Sequence, residues 1–297
     1  MLRFPTERQG VAGAKTAKTL VMGMSHNALA WSQTDVTGLA RWHQIDLSLS
    51  AGSGSVQGLA QNPAQAQAQI KELCAAYRWV TVVLAPSLLQ HWVQTPPIQT
   101  SSLNELQAIS LARVQQLFGS SRFGPWVVSG EWDARVPFLC SALPQTCLEV
   151  FFGVGTKPLL VGLLSVALEK FSQLLPPTGW VAVVADRVVY LLFFQDRALL
   201  SLRRITLPAL SSAHFAYVSV AAEWRREMLR SQKSTPVLHW LDLNPTPDGS
   251  DSALDEIKLI RWPHASKSST HAHASASAIG HTDSQQACWI GQRLLAA

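Results

Sequence analysis

Thiol and imidazole side chains are the first groups in this 297-residue sequence that could do chemistry. The four cysteines are Cys74, Cys140, Cys147 and Cys288. They form no C-x-x-C pair and no framework spacing, which is typical of buried thiols in a reducing compartment. Histidines near the carboxyl end are His264, His271, His273 and His281. Because their spacing, taken with Cys288, matches no zinc pattern, we expect no metal site and no bound cofactor.

Carboxylates near predicted strand ends are the second candidates. A nuclease that uses two metal ions needs clustered carboxylates, one of them on the first strand, and residues 20–25 contain none. Asp46, Glu131 and Asp133 are the acidic residues of the first half that lie near predicted strand ends, and solvated strand ends explain them better than a metal site. No G-x-S-x-G elbow surrounds Ser129. We therefore nominate no catalytic residue and predict that the chain is not an enzyme.

Aromatic side chains give a positive signal for binding. The chain contains 11 tryptophans but only 14% charged residues, which indicates large apolar contacts. Trp92, Phe123 and Trp126 lie in loops or at element ends, and Phe118 ends a predicted helix. Aromatics in such places commonly anchor interfaces, although each alone is more often part of a core. These four residues are the candidate partner-binding residues.

Composition narrows the class of protein. A hydrophobic content of 47% excludes a wholly disordered chain. The formal charge is +5, and residues 1–18 contain Arg3, Arg8, Lys15 and Lys18. Without a clustered basic run the pattern does not favour nucleic-acid binding. No export signal is evident. The most apolar window, residues 150–168, is interrupted by Lys157 and Pro158, and we interpret it as a core strand followed by a buried helix. We expect a cytoplasmic protein, with any membrane association coming through a partner.

The first half of the chain predicts a three-stranded meander followed by alternating helices and strands. The predicted strands are residues 19–25, 28–33, 39–47, 79–85, 88–93 and 126–129, with the last closing the unit as a buried strand. A helix is predicted over residues 63–77. A second helix, residues 102–118, has a capping box of Ser102 and Glu105 and a C-cap at Gly119.

The second half repeats this order. It is predicted to begin with a helix over residues 158–175, stopped by two prolines. The elements expected after it are strands 180–185, 188–194 and 198–207, a helix at 219–231, a strand at 236–243 and a last element at 256–262. This repetition predicts an α/β, actin-like (ribonuclease H-like) fold with two lobes, each a mixed sheet with a three-strand meander and crossover helices.

Domain boundaries follow from the repeat and from composition. We expect a flexible arm at residues 1–17, a first lobe at 18–130 and a second lobe at 131–262. Residues 263–297 are rich in Ser, Ala and His and are predicted to be a flexible tail. Trp289-Ile290 with Leu294-Leu295 could form a short docking helix at its end, or be simply the frayed end of the tail.

Three stretches resemble the pilus-assembly proteins of the PilM and HofM type. In residues 80–107 a strand ends in Pro86-Ser87, an extended piece carries Pro96, and Glu105 opens a helix. Residues 19–33 look like the first hairpin of that family, and residues 180–208 look like the hairpin that opens its second half. The resemblance covers about residues 19–262. It implies a cytoplasmic actin-like protein, related to the cytoplasmic part of GspL-type secretion components, that binds the cytoplasmic tail of a PilN-type inner-membrane protein.

Nucleotide binding in an actin-like fold needs glycines and carboxylates at fixed places. Actin-like ATPases use two phosphate hairpins and a Gly-Gly turn, where backbone N–H groups approach the phosphates. Here the first hairpin, residues 23–27, lacks a carboxylate, and the second, residues 185–188, lacks a glycine. The third place, residues 244–249, offers no Gly-Gly pair. We predict that Asp186 is a turn residue and that ATP is not hydrolysed.

The function that these observations favour is that of a non-catalytic scaffold in a type IV pilus, secretion or DNA-uptake machine. A partner's tail would lie as an extended peptide near Trp92 and the helix of residues 102–118. The alternative is a divergent ATP-dependent phosphotransferase, ATPase or nuclease of the same superfold. Self-association stays open, and a DNA-associated protein is a third hypothesis.

Overall fold

The computed structural model describes residues 19–34, 40–47, 63–100, 102–119, 124–155, 157–208, 213–231, 237–244, 257–260 and 283–296. The aromatic candidates Trp92, Phe118 and Trp126 lie within these ranges. The residues that lie outside them include Phe123 and the carboxyl-terminal histidines His264, His271, His273 and His281. All four cysteines are buried, as the sequence predicts.

The first sheet contains five strands in the order β3-β2-β1-β4-β8. The strands are β1 (Thr19–Met24), β2 (Ala28–Thr34), β3 (Ala40–Asp46), β4 (Trp79–Leu84) and β8 (Leu159–Gly162). The first three form an antiparallel meander, while β4 and β8 run parallel to β1. Helix α1 (Pro63–Ala75) makes the crossover from β3 to β4 and buries Ile70 and Cys74 against the sheet.

A three-stranded sheet with its own core is inserted between β4 and β8. Its order is β5-β7-β6, formed by β5 (Gln90–Gln94), β6 (Trp126–Gly130) and β7 (Phe138–Pro144), all antiparallel. Helix α2 (Leu103–Phe118) covers one face of it, with the predicted capping box present at Ser102 and Glu105. The short helix α3 (Gln145–Glu149) then leads back to the first sheet. We call β5, β6, β7 and α2 the small module.

The second sheet repeats the order of the first, as β11-β10-β9-β12-β13. Its strands are β9 (Gly179–Ala185), β10 (Val188–Gln195), β11 (Ala198–Thr206), β12 (Leu238–Asp242) and β13 (Ile257–Leu259), with α5 (Ala213–Ser231) as the crossover helix. The meander is antiparallel and the last two strands are parallel. Two such sheets in one chain make the actin-like, ribonuclease H-like fold that the repeated pattern predicts.

Two helices join the lobes. Helix α4 (Leu163–Lys170) leads from the first lobe to the second, and α6 (Asp283–Ala296) packs against β1, β2, β4 and α4. A single apolar core unites them with both sheets, including Val83 of β4, Val183 of β9 and Ile290 of α6. Burial of apolar surface in this shared core holds the lobes together.

Several sequence-based expectations differ from the structure. The stretch predicted as a helix over residues 158–175 begins instead as strand β8, because pairing with β4 outweighs the local helical pattern. Strands β7 and β8 follow residue 130 yet join the sheets of the first lobe, so the expected boundary at residue 130 does not match sheet membership. The carboxyl-terminal part of the expected flexible tail forms the packed helix α6.

Strand β6 also differs from its prediction. The expectation was a buried strand that closes the first unit, but β6 belongs to the small module and its first three residues are only partly buried. Its partner β7 was not predicted at all.

Candidate functional site

Two tight turns occupy equivalent places in the two lobes. The first joins β1 to β2 through Ser25, His26 and Asn27, and the second joins β9 to β10 through Asp186 and Arg187. Each lies at the carboxyl end of the first strand of its sheet. Ligands of open α/β sheets commonly bind at the carboxyl ends of strands, so these turns are the first place to look for a site.

In the first turn the backbone donors are engaged by the turn itself. The buried hydroxyl of Ser25 accepts hydrogen bonds from the backbone N–H groups of Asn27 (3.4 Å) and Ala28 (3.2 Å). The His26 ring lies 3.0 Å from the carbonyl oxygen of Ser87, in the loop after β4. A phosphate at this turn would have to displace the Ser25 hydroxyl from these donors.

In the second turn the backbone hydrogen-bonds to a side chain that is distant in sequence, that of Asn244. Asn244 Oδ1 accepts from the Asp186 backbone N–H (2.6 Å), and Asn244 Nδ2 donates to the Asp186 carbonyl oxygen (3.2 Å). Gln286 of α6 donates to the same Asn244 Oδ1 (2.8 Å). Asp186 has φ of +54°, which fits the predicted role of a turn residue.

Asp242 supports Asn244 from the end of β12. Its Oδ1 accepts the Asn244 backbone N–H at 2.9 Å. Burial raises the pKa of Asp242 to about 6, although the hydrogen bonding from Asn244 acts in the opposite direction. The sequence signal for this residue was a carboxylate at the end of a predicted strand, and it had not been singled out.

Gly23 lets helix α6 pack closely against the first sheet. A Cβ at Gly23 would lie 1.9 Å from the carbonyl oxygen of Ser284 and 2.3 Å from the backbone nitrogen of Cys288. A Cβ at Gly291 would lie 2.2 Å from Val83 Cγ2. The two glycines therefore let α6 approach the first sheet closely, and the glycine of the first hairpin faces this helix instead of an open phosphate site.

The acidic residues near strand ends are spread over two sheets. Asp46 lies on edge strand β3, whereas Glu131 and Asp133 lie in the loop between β6 and β7. Asp46 accepts a hydrogen bond from Gln44, and Asp133 accepts one from the Arg135 backbone N–H. Among the described residues no group of three His, Cys, Asp or Glu side chains is arranged to hold a metal ion.

The described aromatic candidates meet at the carboxyl end of α2. The rings of Trp92 and Phe118 are 6.4 Å apart between centroids. Trp126 Nε1 donates to the Gly119 carbonyl oxygen at 2.9 Å, directly after the helix. Trp92 is only 4% exposed and belongs to the core of the small module, while Phe118 is 38% exposed. Phe118 and the half-buried Trp126 are therefore the ones that offer contact surface.

Helix α2 exposes several large apolar side chains. Its helical spacing brings to one face Leu103, Leu106, Ser110, Val114, Leu117 and Phe118. The buried residues are Leu106, Ser110 and Val114. The exposed large apolar residues of α2 are Leu103, Leu111, Leu117 and Phe118. We call this set the α2 apolar face.

A buried polar junction connects the small module to the second lobe. His91 Nδ1 of β5 lies 2.8 Å from the Ser141 hydroxyl of β7, and its ring packs edge-on against Tyr190 of β10. Arg204 of β11 donates to Gln90 of β5 at 3.2 Å. Burial, and then the charge of Arg204, lower the pKa of His91 to about 3, so the ring is neutral at physiological pH.

Comparison with known proteins finds similar architecture only among solved structures. No protein-family model and no curated protein matches the chain. A structure of the PilM-PilN type IV pilus biogenesis complex is 17% identical, with 75% of this chain and 81% of that chain covered and a TM-score of 0.46. A Bacteroides thetaiotaomicron protein with an actin-like ATPase fold is 10% identical, with coverages of 77% and 83% and a TM-score of 0.47.

The cytoplasmic domain of EpsL, an inner membrane component of the Vibrio cholerae type II secretion system, is similar over more of the chain. The two sequences are 12% identical, the match covers 94% of this chain and 95% of the EpsL domain, and the TM-score is 0.44. These likenesses are distant, and they concern the arrangement of strands and helices. In the described residues no helix is both long and apolar enough to cross a bilayer.

Proposed function

We propose that this chain is a non-catalytic cytoplasmic scaffold of a bacterial type IV pilus, secretion or DNA-uptake machine. In this proposal the small module binds the cytoplasmic tail of a PilN-like inner-membrane protein. The observation that carries the proposal is the α2 apolar face, whose Phe118 lies next to Trp92 and Trp126.

The α2 apolar face favours binding of a peptide. Leu103 and Phe118 lie at the two ends of the helical face that packs on the small sheet, and Leu111 lies beside that face; all three are exposed. Exposed large apolar side chains on a helix are typical of an interaction surface, since they remain solvated at a free-energy cost until a partner covers them. An apolar segment of an extended tail would bury these side chains and the accessible edge of Trp126.

The two turns favour binding without turnover. Ser25 and Asn244 already satisfy backbone donors that a triphosphate would need, and Gly23 is used for the approach of α6. Rate enhancement in phosphoryl transfer depends on positioned phosphate donors and a metal ion. A site whose backbone donors are already hydrogen-bonded within the protein is therefore a poor ATPase site.

The partner class comes from the resemblance of residues 19–33, 80–107 and 180–208 to PilM-type proteins. The structures of similar architecture include a PilM-PilN type IV pilus biogenesis complex. We carry that partner class to this chain as part of the proposal.

The test begins with a cross-linked pull-down of the tagged protein from its native cells. We expect recovery of a single-span membrane protein with a short cytoplasmic tail. A synthetic, fluorescently labelled copy of that tail should then bind the purified chain in an anisotropy titration. The double variant Leu111→Ser/Phe118→Ser should weaken this binding about tenfold or more, since two buried apolar contacts are lost.

The matched control is Leu229→Ser, which changes an exposed leucine on α5. It should leave the affinity for the tail peptide unchanged. Equal weakening by both variants, or recovery of no membrane protein at all, would contradict the proposal.

A further inference from the structure

Two neighbouring arginines of strand β11 have different electrostatic surroundings. Side chains alternate between the faces of a strand, so Arg203 and Arg204 point to opposite sides of the second sheet. The guanidinium of Arg203 is paired with two carboxylates of α5, those of Glu223 (3.3 Å) and Glu227. In the part of the chain that the structure describes, no carboxylate forms an ion pair with Arg204. The positive charge of Arg204 is therefore not compensated by any described acidic residue.

Arg204 lies at the polar junction between the small module and the second lobe. Strands β5 and β11 are outer strands of their sheets, and Arg204 Nη1 donates to Gln90 Oε1 across the junction at 3.2 Å. Arg204 is directly opposite Tyr190 in the register of β10 and β11, so the two side chains lie on the same face. Arg204 is half-buried, whereas Tyr190 is only 1% exposed. The guanidinium thus lies at the rim of the junction, and the phenol lies inside it.

Two buried donors at this junction have no acceptor. They are the Nε–H of Arg204 and the hydroxyl of Tyr190, and among the described residues neither atom has a hydrogen-bond partner. A buried donor without an acceptor is unfavourable, and more so when the group is charged. Buried polar groups of folded proteins generally have a partner, so an unpaired pair of donors indicates a bound group. Two donors with one positive charge fit an anion that has acceptor oxygens.

The electrostatics of the junction indicate that the guanidinium acts on both buried rings. Burial, and then the charge of Arg204, lower the pKa of His91. Burial raises the pKa of Tyr190, and the charge of Arg204 acts against that rise. At physiological pH the imidazole and the phenol are therefore neutral, and the guanidinium is the charged group of the three.

We propose that Arg204 and Tyr190 bind an oxyanion, a carboxylate or a phosphate group, at the junction between the small module and the second lobe. Arginine suits this ligand because its planar guanidinium offers several N–H donors and stays charged throughout the physiological pH range. The Nε–H of Arg204 and the O–H of Tyr190 donate to oxygens of the bound anion. The anion approaches from the solvent-accessible side of Arg204, between β5 and β11.

This site is separate from the surface proposed for the partner's tail. The α2 apolar face lies on the helix that covers the small sheet, whereas Arg204 and Tyr190 belong to strands of the second lobe. Anion binding does not depend on the proposed partner, and it can be measured with the purified chain alone.

The experiment is an NMR titration of the full-length protein with sodium phosphate and, separately, with sodium acetate. The pH is constant, and sodium chloride keeps the ionic strength constant. The Nε–H signal of Arg204 is assigned from its loss in Arg204→Gln. We expect this signal to shift with a saturable dependence on at least one of the two anions, and the anion that binds more tightly identifies the ligand class. The Nε–H of Arg203, whose guanidinium is already paired, is the internal control and should shift little.

Tyr190→Phe removes the hydroxyl and keeps the ring. It should weaken anion binding about tenfold, since a hydrogen bond to a charged group is lost. Without phosphate or acetate it should not lower the midpoint of urea denaturation, because the hydroxyl that it removes has no acceptor among the described residues. A purely structural role of Tyr190 predicts the reverse, which is a lower midpoint without anion and an unchanged affinity.

The matched control for charge is Arg197→Gln. Arg197 is an exposed arginine in the turn between β10 and β11, and its replacement removes the same charge as Arg204→Gln. The affinity for the anion should stay unchanged in Arg197→Gln, whereas saturable binding should be lost in Arg204→Gln. Circular dichroism of each variant checks that the fold is retained.

Three results would overturn the inference. The first is an Arg204 signal that does not shift with either anion, or that shifts without saturation. The second is equal weakening of binding by Arg204→Gln and Arg197→Gln, which would assign the response to the net charge of the protein. The third is an affinity that Tyr190→Phe leaves unchanged.

Discussion

The turns of the two lobes are closed in different ways. In the first, Ser25 reaches donors two and three residues away, so the closure is local. In the second, Asn244 is 58 residues from Asp186 and is itself held by Asp242 and by Gln286 of α6. The second closure therefore depends on the packing of the whole molecule. The comparison predicts that a substitution that disturbs the packing of α6 will break the hydrogen bonds of the second turn and leave those of the first turn intact.

The largest effect is expected from Gly23→Ala. The new Cβ would overlap backbone atoms of Ser284 and Cys288, so α6 must shift. We expect a loss of about 3 kcal/mol or more in the free energy of unfolding, measured by urea denaturation. Amide exchange should accelerate at Asp186, because Gln286 moves with α6.

Gly155→Ala is the control for this variant. A Cβ at Gly155 would meet no atom within 4 Å. Its free energy of unfolding should stay close to that of the unchanged protein. An equal loss in both variants would show that the effect does not come from α6.

The next effect concerns the pH dependence of stability. The pKa of Asp242 is raised by burial from 3.8 to about 6, so the folded state holds this proton more tightly than the unfolded state. Its contribution to the free energy of unfolding is therefore greatest below about pH 4 and is lost as the pH rises through about 6, by at most about 3 kcal/mol. Asp242→Asn should flatten the stability profile between pH 4 and pH 6. An unchanged profile would contradict the assignment.

Asn244→Ala should have an intermediate effect that is confined to the second turn. It removes both hydrogen bonds to Asp186 and leaves its N–H without this acceptor. We expect a loss of about 2 kcal/mol in the free energy of unfolding. Asn244→Asp keeps an acceptor oxygen and should retain more than half of that stability. If the two variants lose the same amount, the Asn244 oxygen is not what closes the turn.

Ser25→Ala should have the smallest effect. The hydrogen bonds to Asn27 and Ala28 are 3.4 and 3.2 Å long and join neighbouring residues. We expect a loss of about 1 kcal/mol, with faster exchange at those two amides and no change at Asp186. A loss larger than that of Asn244→Ala would reverse the comparison between the turns.

Local signals made most of the fold predictable. The meanders, the crossover strands and the caps of α2 are encoded by neighbouring residues, such as Ser102 with Glu105. Strand β7 was missed because both of its faces are buried. Phe138 and Cys140 face α2 while Leu139 and Leu143 enter the cores of the lobes, so no apolar and polar alternation is visible.

Long-range contacts account for the other differences. Residues 159–162 pair with β4, and this contact decides between strand and helix. The helix α6 was foreseen only as an alternative around Trp289 and Leu294, because its stability comes from close packing on Gly23 and Val83. The exposure of Leu103 and Phe118 likewise depends on where the small sheet ends beneath α2.

The central claim is that the chain binds a partner without using nucleotide. The most direct test is the affinity of the purified protein for the partner's tail peptide, measured with and without saturating magnesium and ATP, while phosphate release is followed in the same samples. We predict equal dissociation constants in both conditions and phosphate release no faster than in buffer alone. Peptide binding that requires ATP, or phosphate release that depends on the protein, would contradict the claim.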